Sequence, residues 1–476
     1  MENIEQRADD ILLKSVISAA EFQQLDQEAT DKIVESVFKA GFANRVKLAK
    51  MAQEETDIGV WEHKVLKNVL ATQMVYGNIK NEKTVGVINN DELQGIVEIA
   101  QPLGPIFAII PVTNPTSTIL FKVLIALKTR NPVIVSPPRK AVNVCTETVK
   151  ICYEAALAAG APEDCIQIIH DGSRDLTHAI MAHKNLALTL ATGGTGMVHA
   201  AYSSGNPAIG VGPGNVPVFI DKSADIPFAV ENIIASKTFD NGTICASEQS
   251  VVVEKEISKL VIEEFEKQNC YFANVNQTKR LEDYLIVKDK GSMNPEVVGK
   301  PPQFIADKAG IDIPEGTKII LAQPEGVGEE FPLSKEILTT FLAFYVCDDY
   351  SSAIKTCIDL NFLGGIGHTA AIYANEEKVI NEFSLIMNAG RIVVNSPSSQ
   401  GAVGGLYNTL HTSLTLGCGT GGKNITTENI SAHHLLNVQR VCRRKENTHW
   451  FKFNLENYFD ESIDTDTLLK TYYKNY

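Results

Sequence analysis

The sequence predicts an α/β protein with parallel sheets, arranged as two successive α/β units behind a helical N-terminal stretch. Two observations carry this. From about residue 95, short apolar runs alternate with stretches of helical period. The same alternation restarts after a polar, glycine-containing window near Cys245. A βαβα order means a parallel sheet covered by helices on both faces, with ligands at the carboxyl ends of the strands.

Residues 1–80 read as helices, because segments such as ATDKIVESVFKAGF carry a 3.6 period. IFAIIPV (106–112) reads as a buried strand. TNPTSTILFKVLIALKTR follows it, opening on capping residues and continuing as a helix. PVIVSP (132–137) is the next strand, and AVNVCTETVKICYEAALAAG is a helix closed by Gly160. IQIIHD, LALTLATG and PVFIDK extend the strand series. The second series holds SVVVEK, a helix around ISKLVIEEFEKQ, then KIILAQ, FLAFYV, AAIYAN and RIVVNS. A glycine-rich stretch (401–424) follows. The last thirty-five residues are charged and aromatic, with no core of their own.

Composition narrows the function. A chain of 476 residues allows two or three domains. The hydrophobic content of 44% is that of a globular protein, and a net charge of −14 argues against nucleic acid as a partner. No apolar run reaches the length of a membrane span, and the acidic N-terminus lacks signal-peptide character. The nine cysteines are scattered, odd in number and without a C-x-x-C. That excludes a disulfide framework and a zinc motif, predicts no metal, and points to a cytoplasmic protein.

Five sites carry chemistry. Cys245 lies in F-D-N-G-T-I-C-A-S-E-Q, among Asn241, Gly242, Thr243, Ser247 and Glu248. A structural cysteine sits among apolar neighbours, so this setting reads as a thiolate presented at a cleft to attack a carbonyl. Asn114 follows a strand and precedes Pro115. It serves either as an oxyanion donor or as a helix cap. T-G-G-T-G (192–196), after a strand, fits backbone approach to a phosphate or a simple tight turn. His368, in the glycine-rich loop G-G-I-G-H-T, has the range to move protons near neutral pH, or bonds to backbone. Glu336, before FLAFYV, either binds a ribose hydroxyl or is a surface charge.

Taken together, the chain resembles the aldehyde dehydrogenase superfamily in its CoA-acylating branch, most of all the N-terminal half of bifunctional aldehyde–alcohol dehydrogenases. The segments that carry the resemblance run from about residue 30 to 440. They are ETDIGVWEHKVLKN, VTNPTSTILFK, LATGGTGMVHAAYSSGNPAIGVGPGN, KTFDNGTICASEQSVVV, GGIGHT, SLTLGCGTGGKN and TTENISAHHLLN. The resemblance implies two Rossmann-like α/β domains, cofactor and catalytic, with an oligomerisation extension. Its expected boundaries are 1–238 for the N-terminal helices and NAD-binding domain and 239–420 for the catalytic domain. Residues 421–476 would return to the cofactor domain and to oligomer contacts. It implies Cys245 as nucleophile, and Asn114 with the Cys245 backbone N–H as the oxyanion hole. Thr192, Gly193 and Gly194 would lie beside the NAD pyrophosphate, Gly212 among the cofactor-binding residues, and Glu336 on the nicotinamide ribose. His368 would lie near the cysteine.

Hydrolytic members carry a glutamate base in an E-L-G-G-K segment. Here the matching stretch, Gly210 to Asn215, has no carboxylate. The resemblance therefore implies that CoA rather than water takes the acyl group. The expected reaction is reversible: aldehyde, CoA and NAD (or NADP) to acyl-CoA and reduced cofactor. Acetaldehyde is the first substrate, and a charged aldehyde such as sulfoacetaldehyde or succinate semialdehyde is the alternative. A homodimer or homotetramer is expected. S-P-P-R-K (136–140) and T-T-F (339–341) depart from the family's usual S-P-H-P-R and S-P-T. A non-catalytic scaffold would have lost Cys245, Asn114 or Glu336, and all three are present.

Overall fold

The computed structural model describes residues 4–289 and 291–474. Two parallel sheets organise it. The first has five strands in the order Ile166–Ile168, Val133–Ser136, Ile106–Ile109, Leu188–Thr192, Ala208–Val211. The second has seven, in the order Cys270–Phe272, Ile319–Ala322, Phe341–Cys347, Glu248–Glu254, Val216–Ile220, Gly367–Tyr373, Ala389–Val394. All pairings within both sheets are parallel. The central strands are buried along their length, as sheets sandwiched by helices require.

One boundary moves. Val216–Ile220 pairs with Glu248–Glu254 and Gly367–Tyr373, so it belongs to the Cys245 sheet. The chain therefore crosses between the sheets at residues 212–215, some twenty residues before the expected break at 238. PVFIDK looks like any other buried strand, and apolar character alone does not say which sheet a strand joins.

A third sheet is antiparallel and was not foreseen. Gly86–Asp91 and Ile96–Pro102 form a hairpin, and Leu436–Cys442 returns to pair along Ile96–Pro102. The two outer strands are mostly exposed, while Ile96–Pro102 between them is half-buried. The C-terminal tail beyond them carries two short helices, Thr448–Lys452 and Thr465–Tyr473, neither with a buried residue.

The N-terminal helices clothe the five-stranded sheet. Gln27–Ala43 buries Thr30, Ile33, Val34, Val37 and Gly41, one helical stripe, against the helices Pro115–Lys128 and Val142–Ala158. Asp26 caps it by accepting from the Ala29 N–H. The helix Pro115–Lys128 is buried on all sides. It fixes the direction in which Asn114, at its N-cap, faces.

Candidate active site

The Cys245 turn lies between a 3₁₀ turn, Phe239–Gly242, and the strand Glu248–Glu254. Asp240 and Asn241 both sit in the left-handed region, at φ 50° and 52°. Non-glycine residues hold such angles only where the surroundings over-determine them. Here side chains do so. The Asn241 amide donates to the Gly299 carbonyl (2.9 Å), and the Asp240 carboxylate accepts from the Val60 N–H (2.7 Å).

The polar residues around Cys245 in the sequence do not surround its thiol. Ser247 donates to the Ile244 carbonyl, and Glu248 accepts from the Ser398 N–H. Cys245 keeps partial contact with solvent, yet burial pushes its thiol up to about 12, with the Glu336 charge acting in the same sense. Burial thus favours the protonated thiol over the expected thiolate. The sequence window shows which residues are adjacent in the chain, and each of these turns its polar atoms elsewhere.

Asn114 faces this turn from the other sheet. Its Nδ2 donates to Thr113 Oγ1 (3.0 Å) and reaches the Thr243 carbonyl at 3.4 Å, two residues before Cys245. It makes no side-chain cap to its own helix, so the alternative role of helix cap is not taken. Its Oδ1 accepts from Lys67 Nζ at 2.6 Å. Lys67 also donates to Asp240 Oδ2 (2.5 Å) and Thr243 Oγ1 (2.8 Å), while Lys64 donates to the same Asp240 oxygen at 3.0 Å. All three charges are buried. Sequence reasoning missed this cluster, because lysines in W-E-H-K-V-L-K-N read as a solvated helix face. Their spacing of three put them on one side.

The crossover segment passes directly over the nucleophile. A Cβ at Gly214 would collide with the Cys245 carbonyl oxygen and crowd His368 Nδ1. The Gly214 N–H donates to Glu336 Oε1 at 2.9 Å, and burial raises that carboxyl to about 7. So the segment itself has no carboxylate, but Glu336 stands beside it, close enough for its charge to act on the thiol. His368 lies in the strand Gly367–Tyr373, not in a loop. It is buried, bonds through Nδ1 to Thr369 Oγ1 (2.9 Å), and leaves Nε2 without a partner. Burial pushes it down to about 3, so it is neutral over the working range.

The residues expected to bind the cofactor lie at the carboxyl edge of the five-stranded sheet. Thr192 ends the strand Leu188–Thr192, and Gly193 and Gly194 lead into the helix Thr195–Tyr202. A Cβ at Gly194, Gly196 or Gly212 would meet nothing within 4 Å, and Thr192 Oγ1 is a buried polar atom with no partner. Open backbone, a helix N-terminus and an orphaned hydroxyl fit a dinucleotide phosphate. Away from the cleft, Glu82, His411 and His433, and also Glu428, His433 and His434, approach metal-ligand spacing. His434 Nδ1 accepts from the Ser431 N–H, which leaves Nε2–H to donate to Glu428 at 3.1 Å. That group is a hydrogen-bonded surface cluster.

The model of the "Aldehyde dehydrogenase family" matches residues 6–277. The "Aldehyde-alcohol dehydrogenase" of Clostridium acetobutylicum is 46% identical over 442 residues, covering 92% of this chain and 51% of that one. The chain thus spans about half the length of that relative. The "Succinate-semialdehyde dehydrogenase (acetylating)" of Clostridium kluyveri is 36% identical over 91% of this chain and 94% of its own. The crystal structure of an acetylating aldehyde dehydrogenase from Geobacillus thermoglucosidasius superposes with a TM-score of 0.91 at 44% identity, covering 94% of this chain and 99% of that one. A family model matched over more than half of its length and a relative covered almost end to end show that this chain belongs to the aldehyde dehydrogenase family.

Proposed function

We infer that the protein is a CoA-acylating aldehyde dehydrogenase. It interconverts aldehyde, CoA and NAD with acyl-CoA and NADH through a thioester on Cys245, and acetaldehyde with acetyl-CoA is its first pair. The observation that carries this reading is the carboxylate-free crossover Gly212-Pro213-Gly214, whose Gly214 packs on the Cys245 carbonyl with no room for a side chain.

Cys245 releases its thiol proton to solvent at its partly exposed edge as Sγ adds to the aldehyde carbon, and the carbonyl electrons move to oxygen. Asn114 Nδ2 and the Cys245 N–H donate to that oxyanion. NAD, when bound, supplies the hydride acceptor; Thr192, Gly193, Gly194 and Gly212 would hold it, with Glu336 on its ribose. When the carbonyl re-forms, a thioester remains on Cys245. The CoA thiol then attacks: its sulfur bonds the acyl carbon, and the bond to Cys245 Sγ breaks. His368, neutral and with Nε2 free, receives or orients the thiol proton. Its low basicity suits a hydrogen-bond acceptor better than a strong base.

A succinate semialdehyde substrate is the second reading, supported by the similarity to a full-length relative of that name. It needs a free cation in the pocket. Arg391, whose charge acts on the thiol, gives its terminal nitrogens to the Gly417 carbonyl and to Asn429 and keeps only Nε without a partner, so no two-pronged fork is left for a carboxylate. That favours the uncharged aldehyde. The exposed three-stranded sheet, with Val87, Val438 and Val441 at its surface, supports a homo-oligomer. The nine free thiols support a cytoplasmic setting. Among the described residues no helix is long and apolar enough to cross a membrane. An acyl-CoA reductase assay with acetyl-, succinyl- and sulfoacetyl-CoA, each with NADH and NADPH, tests the reading. Acetyl-CoA with NADH is expected to be fastest, and no reduction of any thioester would overturn it.

A further inference from the structure

We propose that Lys67, seated on Asp240, is a positioning residue for the oxyanion hole: it fixes the Asn114 carboxamide so that Nδ2 faces the Cys245 turn. The inference rests on the acyl-transfer reading and goes beyond it to a residue outside the nucleophile and its donors.

An ammonium has three N–H donors and no acceptor. Lys67 spends all three, on Asn114 Oδ1, Asp240 Oδ2 and Thr243 Oγ1, at 2.6, 2.5 and 2.8 Å. Only the oxygen end of a carboxamide can face such a donor. The Asn114 amide is thereby oriented, and its Nδ2 is the end left toward Thr243 and the reacting centre. A bare asparagine at a helix N-cap would have no such preference, since its oxygen could turn to its own helix.

The clamp is itself built. Asp240 Oδ1 is held by the Val60 N–H, and its backbone N–H donates to His63 Nδ1 at 2.9 Å. A Cβ at Gly59 would collide with the Asp240 carboxylate, so glycine is required there by close approach. The left-handed φ of Asp240 aims the carboxylate inward. Two lysines share this one carboxylate, so Asp240 is held from two sides and in turn holds Lys67 against Asn114.

The test is a double-mutant cycle on the NADH burst, read in a single turnover without CoA at saturating NAD and acetaldehyde. Lys67→Met is expected to slow the burst by about 10²-fold, in the range for losing one oxyanion donor. NAD affinity, read by fluorescence titration, is expected to stay within about 2-fold. Lys67→Met combined with Asn114→Ala is expected to be no slower than Asn114→Ala alone, because the lysine acts through the asparagine. Multiplicative losses, or a burst unchanged in Lys67→Met, would overturn the proposal. If Lys67→Met does not fold, Asp240→Asn, nearly the same shape, replaces it in the same cycle with the same two outcomes. Failure of the acyl-transfer reading would look different: the wild-type enzyme would turn over continuously without CoA.

Discussion

The nucleophile side and the cofactor side of the cleft are built on opposite plans. Around Cys245 the chain is tightly determined. Three buried charges, two left-handed non-glycine residues and a glycine that cannot accept a Cβ all fix one turn. Around Thr192 to Gly194 little is fixed. The glycines have open space, and the binding groups are backbone N–H groups and one orphaned hydroxyl. Orientation matters on the first side, because a transition state must be met by donors already in place. Access matters on the second, because a cofactor must enter and CoA must follow it. Substitutions should therefore damage the chemical step on one side and occupancy on the other.

The largest effect is expected at the nucleophile. Cys245→Ala abolishes aldehyde oxidation and acyl-CoA reduction while thermal unfolding stays near wild type, since no other group carries the thioester. Cys245→Ser is nearly as inactive, because a hydroxyl is far less ionised. A tenth of wild-type turnover in the alanine variant would refute covalent catalysis.

The next pair sharpens the contrast directly. Asn114→Ala lowers the rate of the chemical step by roughly 10²–10³ with NAD affinity nearly unchanged. Gly194→Val does the reverse: it raises KM for NAD by about 10-fold and leaves the rate at saturation nearly intact. Exchange of the two signatures would mean that the two sides had been misassigned.

His368 tests whether the nucleophile side serves both half-reactions. His368→Ala slows deacylation by CoA by about 10-fold, short of the 10²–10⁴ of a base tuned to the working pH, and leaves the NADH burst standing. Equal loss in both phases would make it a packing residue of the strand Gly367–Tyr373.

The smallest effect concerns the resting thiol. Because Cys245 is held near 12, its thiolate fraction in the empty enzyme grows with pH throughout the neutral range. Alkylation by iodoacetamide should rise about tenfold per pH unit from 7 to 9 without a plateau. Glu336→Gln removes a negative charge that raises the thiol, so it should speed alkylation severalfold at the upper end. A plateau below pH 8 would mean a preformed thiolate.

Much of this was legible in the chain. The buried strands from Ile106–Ile109 to Ala389–Val394 announce themselves as apolar runs, and Asn114 reaches a carbonyl two residues before Cys245. What was not legible depends on distant partners. The hairpin Gly86–Asp91 and Ile96–Pro102 has little apolar alternation, and its second partner, Leu436–Cys442, lies more than three hundred residues on. Lys64, Lys67 and Asp240 look like surface charges until folding buries them against each other. The Cys245 surroundings misled for the converse reason: residues adjacent in sequence are buried with their polar atoms spent on other partners, and Gly214, Glu336 and His368 arrive from elsewhere.

The most direct measurement is NAD reduction by acetaldehyde followed with and without CoA, at enzyme concentrations that make one equivalent visible. Without CoA, the account gives a burst of at most one NADH per Cys245 and then nothing, with the acyl group recoverable on that residue by mass spectrometry. Adding CoA restores continuous turnover and yields acetyl-CoA. Sustained NADH formation without CoA, with free acetate as product, would contradict it.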